Sequence, residues 1–257
     1  MTALEDIQTS TYLLVLGILF FAGMVHGTLG LGFPMLATPL VAMLTDVLSA
    51  MVIVLVPTLV VNTASISRGG NWRNSIGRYW PLAVYGAIGS ILGTRLLVAT
   101  DPEPYKLLLA AVILAYLYVR RYGIRMSWVR TRPAFAHAVF GTCGGLLAGT
   151  VNVMVPVLIV FALEARLPRR VSVQVFNFCF LAGKLSQALV FSKTGVLTSA
   201  IIIATPPLAG VTLLALAGGM LLQRRIDPDT YRGWLTAVLL VIAVLLIGQF
   251  GWRIFSA

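Results

Sequence analysis

Residues Gly27-Thr28-Leu29-Gly30-Leu31-Gly32-Phe33-Pro34 interrupt an otherwise apolar run covering roughly 12–44. A second run, roughly 134–163, is interrupted by Gly141-Thr142-Cys143-Gly144-Gly145-Leu146-Leu147-Ala148-Gly149-Thr150-Val151-Asn152. A helix rises about 1.5 Å per residue and a hydrocarbon core is about 30 Å thick, so about thirty residues barely make two crossings. A helix that enters, stops at glycine and returns is the economical solution. Around these two stretches lie further apolar segments at 47–66, 79–99, 105–119, 171–191, 196–222 and 231–250. Backbone N–H groups in lipid must be satisfied within their own segment, which makes each of them a helix. A transmembrane β-barrel would alternate in hydropathy, and these runs do not.

Composition agrees. Of 257 residues, 59% are hydrophobic and 11% charged, against about 25% charged in a soluble domain. Too few charges remain to cover a water-facing surface. The first ten residues hold Glu5 and Asp6 and no base. That is the reverse of a signal peptide's positive end, so the first apolar run is expected to be retained as a helix. Cys143 and Cys179 lie in apolar context, as small hydrophobes do, and His26 and His137 have no ligating neighbours. The sequence has no P-loop, dinucleotide fingerprint or nucleophile elbow, so it predicts no cofactor, no metal and no enzyme.

The net charge of +11 is patterned. Arg68, Arg73 and Arg78 form one cluster, and Arg120, Arg121, Arg125, Arg130 and Arg132 a second. Arg166, Arg169 and Arg170 form a third, and Arg224 and Arg225 a fourth. Basic clusters between apolar runs mark the cytoplasmic side rather than nucleic-acid binding. The loops at 67–78, 120–132, 164–170 and 223–229 are therefore expected in the cytoplasm, with Asp101, Glu103 and both termini outside.

Two halves, 1–132 and 133–257, read alike. Gly32 precedes Pro39 by seven residues, as Gly149 precedes Pro156. Asn62 follows Val60-Val61 and Asn177 follows Val175-Phe176. Asp101-Pro102-Glu103-Pro104-Tyr105 is echoed by Asp227-Pro228-Asp229-Thr230-Tyr231. Each half holds one glycine-broken hairpin and three spans, so the crossings are odd in number and the halves are inverted. The expected fold is an all-α polytopic membrane protein of two inverted repeats, a transporter pattern with its site near the breaks at mid-membrane.

The segment Gly27 to Leu40 resembles the glycine-rich first motif of the TauE/SafE sulfite exporter family. Gly145 to Pro156, with Asn177 and Lys184 after it, is similar to that family's second motif and the polar helix that follows. The chain departs from the family's usual motifs at Gly32-Phe33-Pro34, where consecutive glycines are common, and at Asn152. The resemblance implies a duplicated membrane core and bacterial inner-membrane transport of a small sulfur-containing anion such as sulfite or an organosulfonate.

The residues themselves suggest where an anion would bind. Lys184 sits within Phe176–Val190 with no acidic residue at comparable depth. A charge there costs at least ~2.5 kcal/mol and is retained for function by default. Asn62, Asn152 and Asn177 are amides in apolar segments, able to donate and accept. Helices starting after Gly32 and Gly149 would present free N–H groups to an oxyanion, with Gly30, Thr28 and Thr150 beside them. His26 precedes the first break and is read either as a proton carrier or as a hydrogen-bonded interior histidine. The expected function is secondary transport of a small anion, coupled through the substrate's own proton, His26 or Lys184. A passive anion channel, or a carrier of another organic anion such as a carboxylate, fits the same residues.

Overall fold

The computed structural model describes residues 9–68, 72–122, 126–223 and 228–256. Arg125, Arg224, Arg225 and Asp227, named above, lie outside the described residues, as do Glu5 and Asp6.

Among the described residues the elements are all helices. The first half contains α1 (Thr9–Leu29), α2 (Phe33–Leu44), α3 (Val47–Ile53), α4 (Leu55–Ser67), α5 (Ile76–Ala99) and α6 (Pro104–Tyr122). A single turn, α7 (Trp128–Thr131), leads into the second half. There follow α8 (Pro133–Val151), α9 (Val155–Glu164), α10 (Arg169–Lys193), α11 (Ser199–Ala204), α12 (Pro206–Leu222) and α13 (Pro228–Ser256). Five helices are long and apolar enough to cross a membrane, or six if the bent pair α3–α4 counts as one span. Their outward faces carry large exposed apolar side chains such as Leu92, Leu214 and Leu221, as lipid-facing surfaces do.

Local chemistry explains the element ends. Asp46 caps α3, accepting from Ser49 N at 3.0 Å and Ser49 Oγ at 2.6 Å, the bonding expected of an N-cap carboxylate. The 49° bend between α3 and α4 falls four residues before Pro57, whose ring displaces the i−4 carbonyl. Pro206 opens α12 just past α11, where its missing N–H costs nothing.

Both expected hairpins break, but not symmetrically in length. α1 has 21 residues and α8 has 19, whereas their return arms α2 and α9 have only 12 and 10. At 1.5 Å per residue the return arms reach roughly 18 and 15 Å, too short to cross. The first break lies at Gly30-Leu31-Gly32, where Gly30 (φ 82°) and Gly32 (φ 104°) are both left-handed. This backbone costs a Cβ-bearing residue strain and glycine none. The second break does not lie at Gly149. α8 runs through Gly149 and ends at Asn152, which takes the left-handed C-cap itself (φ 61°); asparagine tolerates that conformation through its short polar side chain.

Gly149 serves helix packing instead. An added Cβ there would lie 2.4 Å from Ser90 O of α5. Gly145 and Gly141, one and two turns earlier, would meet Gly86 O at 2.0 Å and Leu82 O at 2.6 Å. A three-glycine stripe at i, i+4, i+8 thus lets α8 and α5 touch backbone to backbone. Gly23 and Gly27 of α1 do the same against α12, with added Cβ atoms 2.9 Å from Thr212 O and 2.2 Å from Leu216 O. The first helix of each half is therefore clasped by a helix of the other half, around the central pair α4 and α10.

Candidate substrate site

Lys184 is 4% exposed and lines a small cavity at the centre of the fold. The walls come from both breaks: Pro34 from α2, then Asn152 and Met154 from the break that follows α8. Thr58 of α4 and Ser90 of α5 close the sides, and α10 adds Phe180, Gly183 and Gln187. Lys184 Nζ donates to Gln187 Oε1, and Gln187 Nε2 donates to Thr94 Oγ1 at 3.5 Å. The ammonium has three donors and its bonding partner here is a neutral amide, so its charge is left uncompensated by any described carboxylate. The cavity volume is ≈ 10 Å³, room for about one water. An anion with several heavy atoms enters only when the surrounding helices move apart.

Asn152 ties the two breaks together. Its Nδ2 donates to Thr38 Oγ1 of α2 at 2.6 Å. The residue that opens the second break thereby holds the short helix that follows the first. Pro34, just after the first break, and Asn152, at the second, meet at this one cavity.

A second polar cluster sits further along α10. Asn177 Nδ2 donates to Gly30 O at 2.9 Å and to Val173 O at 2.8 Å, bracing the left-handed turn against α10. His26 lies beside it. Phe33 N donates to His26 Nδ1 at 3.3 Å, so the neutral ring carries its hydrogen on Nε2 and donates to Ser65 Oγ at 3.0 Å. His26 thus joins α1, α2 and α4, and both ring nitrogens are engaged in this conformation. The hydrogen-bonded interior reading describes it; a proton placed on Nδ1 would break the bond that holds the start of α2.

Asn62 is fully buried, and among the described residues neither its Nδ2 nor its Oδ1 has a hydrogen-bond partner; Asn177 Oδ1 also lacks one. Such atoms cost about 1–3 kcal/mol each. On α4, Thr58 lines the Lys184 cavity and Ser65 reaches His26, with Asn62 on the same face between them at i+4 and i+7. On α10 the matching face runs Val173, Asn177, Phe180, Lys184, Gln187, again at three- and four-residue steps. The two central helices therefore each carry a line of polar side chains, interrupted on α10 by Phe180, with unfilled hydrogen-bonding capacity at Asn62 and Asn177.

Asn62→Leu separates a transport role from a structural one. Removing two unsatisfied atoms, at about 1–3 kcal/mol each, from a buried position should raise the thermal midpoint in detergent by an amount equivalent to about 2–6 kcal/mol, while anion flux falls about tenfold or more. A lowered midpoint with flux intact would show that Asn62 is held for packing.

The other expected site residues do not join this line. Thr28 donates to Met24 O at 2.9 Å and to Gly219 O at 3.2 Å, which places its hydroxyl at the α1–α12 contact. Thr150 donates to Leu146 O at 2.9 Å within its own helix. Gly149 packs on α5 as described. Gln187, Thr94, Ser90, Thr58 and Thr38 were not singled out from the sequence. Only Gln187 left a usable signal there, since it lies three residues after Lys184 on the same helix face; the others arrive from distant segments.

The chain matches the family described as Sulfite exporter TauE/SafE over residues 15–246, nearly its whole length. No curated protein and no solved structure matches it. With an all-helical membrane fold, two interrupted helices and a polar interior line, the chain belongs to the sulfite exporter TauE/SafE family.

Proposed function

We propose that this protein is a secondary transporter that moves a small sulfur oxyanion, sulfite or an organosulfonate, across the bacterial inner membrane. The observation that carries the reading is Lys184: a buried lysine without a carboxylate partner among the described residues, in a cavity walled by both helix breaks. An ammonium in that setting attracts an anion in surroundings of low dielectric. Asn152 and Gln187 add amide donors for its oxygens. The two halves, 1–132 and 133–257, act as inverted repeats that rock about α4 and α10, opening the cavity to one side at a time. Family membership supports transport of an anion; the choice among sulfur anions rests on the family description alone.

Proteoliposomes loaded with sulfite and offered labelled sulfite, thiosulfate, methanesulfonate or acetate test this. A carrier for sulfur oxyanions shows saturable uptake and counterflow of sulfite, with methanesulfonate competing and acetate inert. Flux that neither saturates nor shows counterflow identifies a channel, and preferential acetate flux moves the substrate to carboxylates.

A further inference from the structure

We propose that Arg68, Arg169 and Arg170 form a second oxyanion-binding site, a loading vestibule on the arginine-rich face, separate from the Lys184 cavity. A cavity of ≈ 440 Å³ opens there, within the usual 300–1,000 Å³ range of ligand pockets. Arg68 follows the last residue of α4, while Arg169 and Arg170 begin α10. All three line the cavity, with Ser65 and Gln223. Among the described residues none of the three pairs with a carboxylate; Arg68 rests against the Met220 thioether instead. The positive-inside rule requires arginines on this side of the membrane. It does not require arginines from two distant segments to converge on one concavity and stay unpaired.

The floor of the vestibule connects it with the polar line. Gly27, Leu29 and Gly30 form part of it, together with Val173. Asn177 donates to the carbonyls of Gly30 and Val173 from directly behind. Ser65 belongs both to the vestibule and to the His26 hydrogen bond. From Arg170 to Lys184 is fourteen residues, roughly 21 Å along α10, so the two sites are too far apart for one small anion to touch both. Guanidinium forks suit the paired oxygens of a sulfite, sulfonate or phosphate group. Their exposure makes the site weak and sensitive to salt, which favours capture and release over tight binding. The loading role rests on the transport reading; the anion site itself does not.

The test uses the purified full chain in uncharged detergent, with inorganic sulfite as probe, in wild type and in Lys184→Ala. Lys184→Ala should keep one weak sulfite site, whose affinity drops at least tenfold when salt is raised from about 0.1 to about 1 M and the Debye length shrinks from about 10 to about 3 Å. Adding Arg68→Gln, Arg169→Gln and Arg170→Gln should abolish that residual site. The three corresponding Lys substitutions preserve the charge that directs insertion and should leave a weakened site, which separates loss of binding from failure to fold. In proteoliposomes of neutral lipid, the triple Lys variant with Lys184 intact should raise KM for sulfite offered to that face about five- to tenfold, with kcat within twofold. No residual site in Lys184→Ala, or an unchanged KM in the triple variant of an actively transporting protein, overturns the vestibule. Binding of phosphatidylglycerol but not sulfite at these arginines makes it a lipid contact and also overturns it. Absence of any sulfite transport by wild type, with the residual site present, strikes the transport reading and spares the site.

Discussion

Lys184→Ala should lose most of its sulfite-dependent thermal stabilisation, keeping only the small part that weak binding at the arginine vestibule supplies, while the protein still inserts and folds. The ammonium contributes a charge-assisted hydrogen bond to an anion, worth about 1.5–3 kcal/mol, or roughly ten- to a hundredfold in affinity. Low local dielectric places the loss toward the upper end. Stability should change little, because two effects oppose each other. Alanine leaves Gln187 Oε1 without its donor, at a cost of about 1–3 kcal/mol. It also removes a buried membrane charge that costs about 2.5–3.5 kcal/mol. Lys184→Met, which keeps the volume, should behave like alanine. Lys184→Arg should retain part of the binding, since the charge remains while the compact ammonium is replaced by a wider planar group. The measurement is the shift in melting temperature on adding saturating sulfite to each purified protein, which follows ligand affinity by mass action. Equal shifts in wild type, Ala, Met and Arg would remove Lys184 from the site and leave backbone and amide donors alone.

Gly145→Leu should prevent accumulation of folded protein, and Gly145→Ala should already be strongly destabilising. A Cβ at this position would stand 2.0 Å from Gly86 O and 2.9 Å from Gly86 Cα. The obstacle is the backbone of α5 rather than a side-chain end that can rotate away, so the helices themselves must separate. Overpacking generally costs about 1–3 kcal/mol, and an unyielding backbone contact sits at or above that upper value. About 3 kcal/mol corresponds to roughly 6–12 °C in melting temperature for a chain of this size class. The contact is also repeated at Gly141 and Gly149 along the same helix pair, so separation at one point disturbs all three. Gly17→Ala is the matched control: nothing lies within 4 Å of an added Cβ there, and alanine is the better helix former by about 1 kcal/mol. A Gly145→Ala protein as stable as the Gly17→Ala protein would contradict the backbone-to-backbone packing of α5 and α8.

Lys184 and Gly149 show what local sequence conveys and what it leaves open. Lys184 stood out because a lysine among apolar residues violates the solvation rules of its own segment, and burial in the fold agrees with that. Gly149 was read as a break because glycine interrupts helices as readily as it admits a neighbouring helix. The i, i+4, i+8 spacing of Gly141, Gly145 and Gly149 was the available sign of packing, since a repeating step keeps one helix face and a break needs none. Asn152, three residues on, had the left-handed tolerance that the break requires.

By itself the sequence determined the solvent of this protein, its helices and the existence of two interruptions. Those properties follow from local composition: apolar length against the thickness of a bilayer, arginine placed between runs, and glycine or proline where a helix stops. The tertiary structure decided which polar groups meet. Thr58 and Ser90 line the Lys184 cavity, and Thr38 and Thr94 bond its wall residues Asn152 and Gln187, all from segments 90 residues or more away from Lys184; hydroxyls that bond their own helix look the same in sequence as hydroxyls that face a cavity. Thr28 and Thr150 turned to packing and to their own backbone, while the amides of Asn62 and Asn177 kept atoms without partners. Whether a buried polar atom is satisfied depends on what the neighbouring helix presents at the same depth, and depth and rotation are set only when the helices pack.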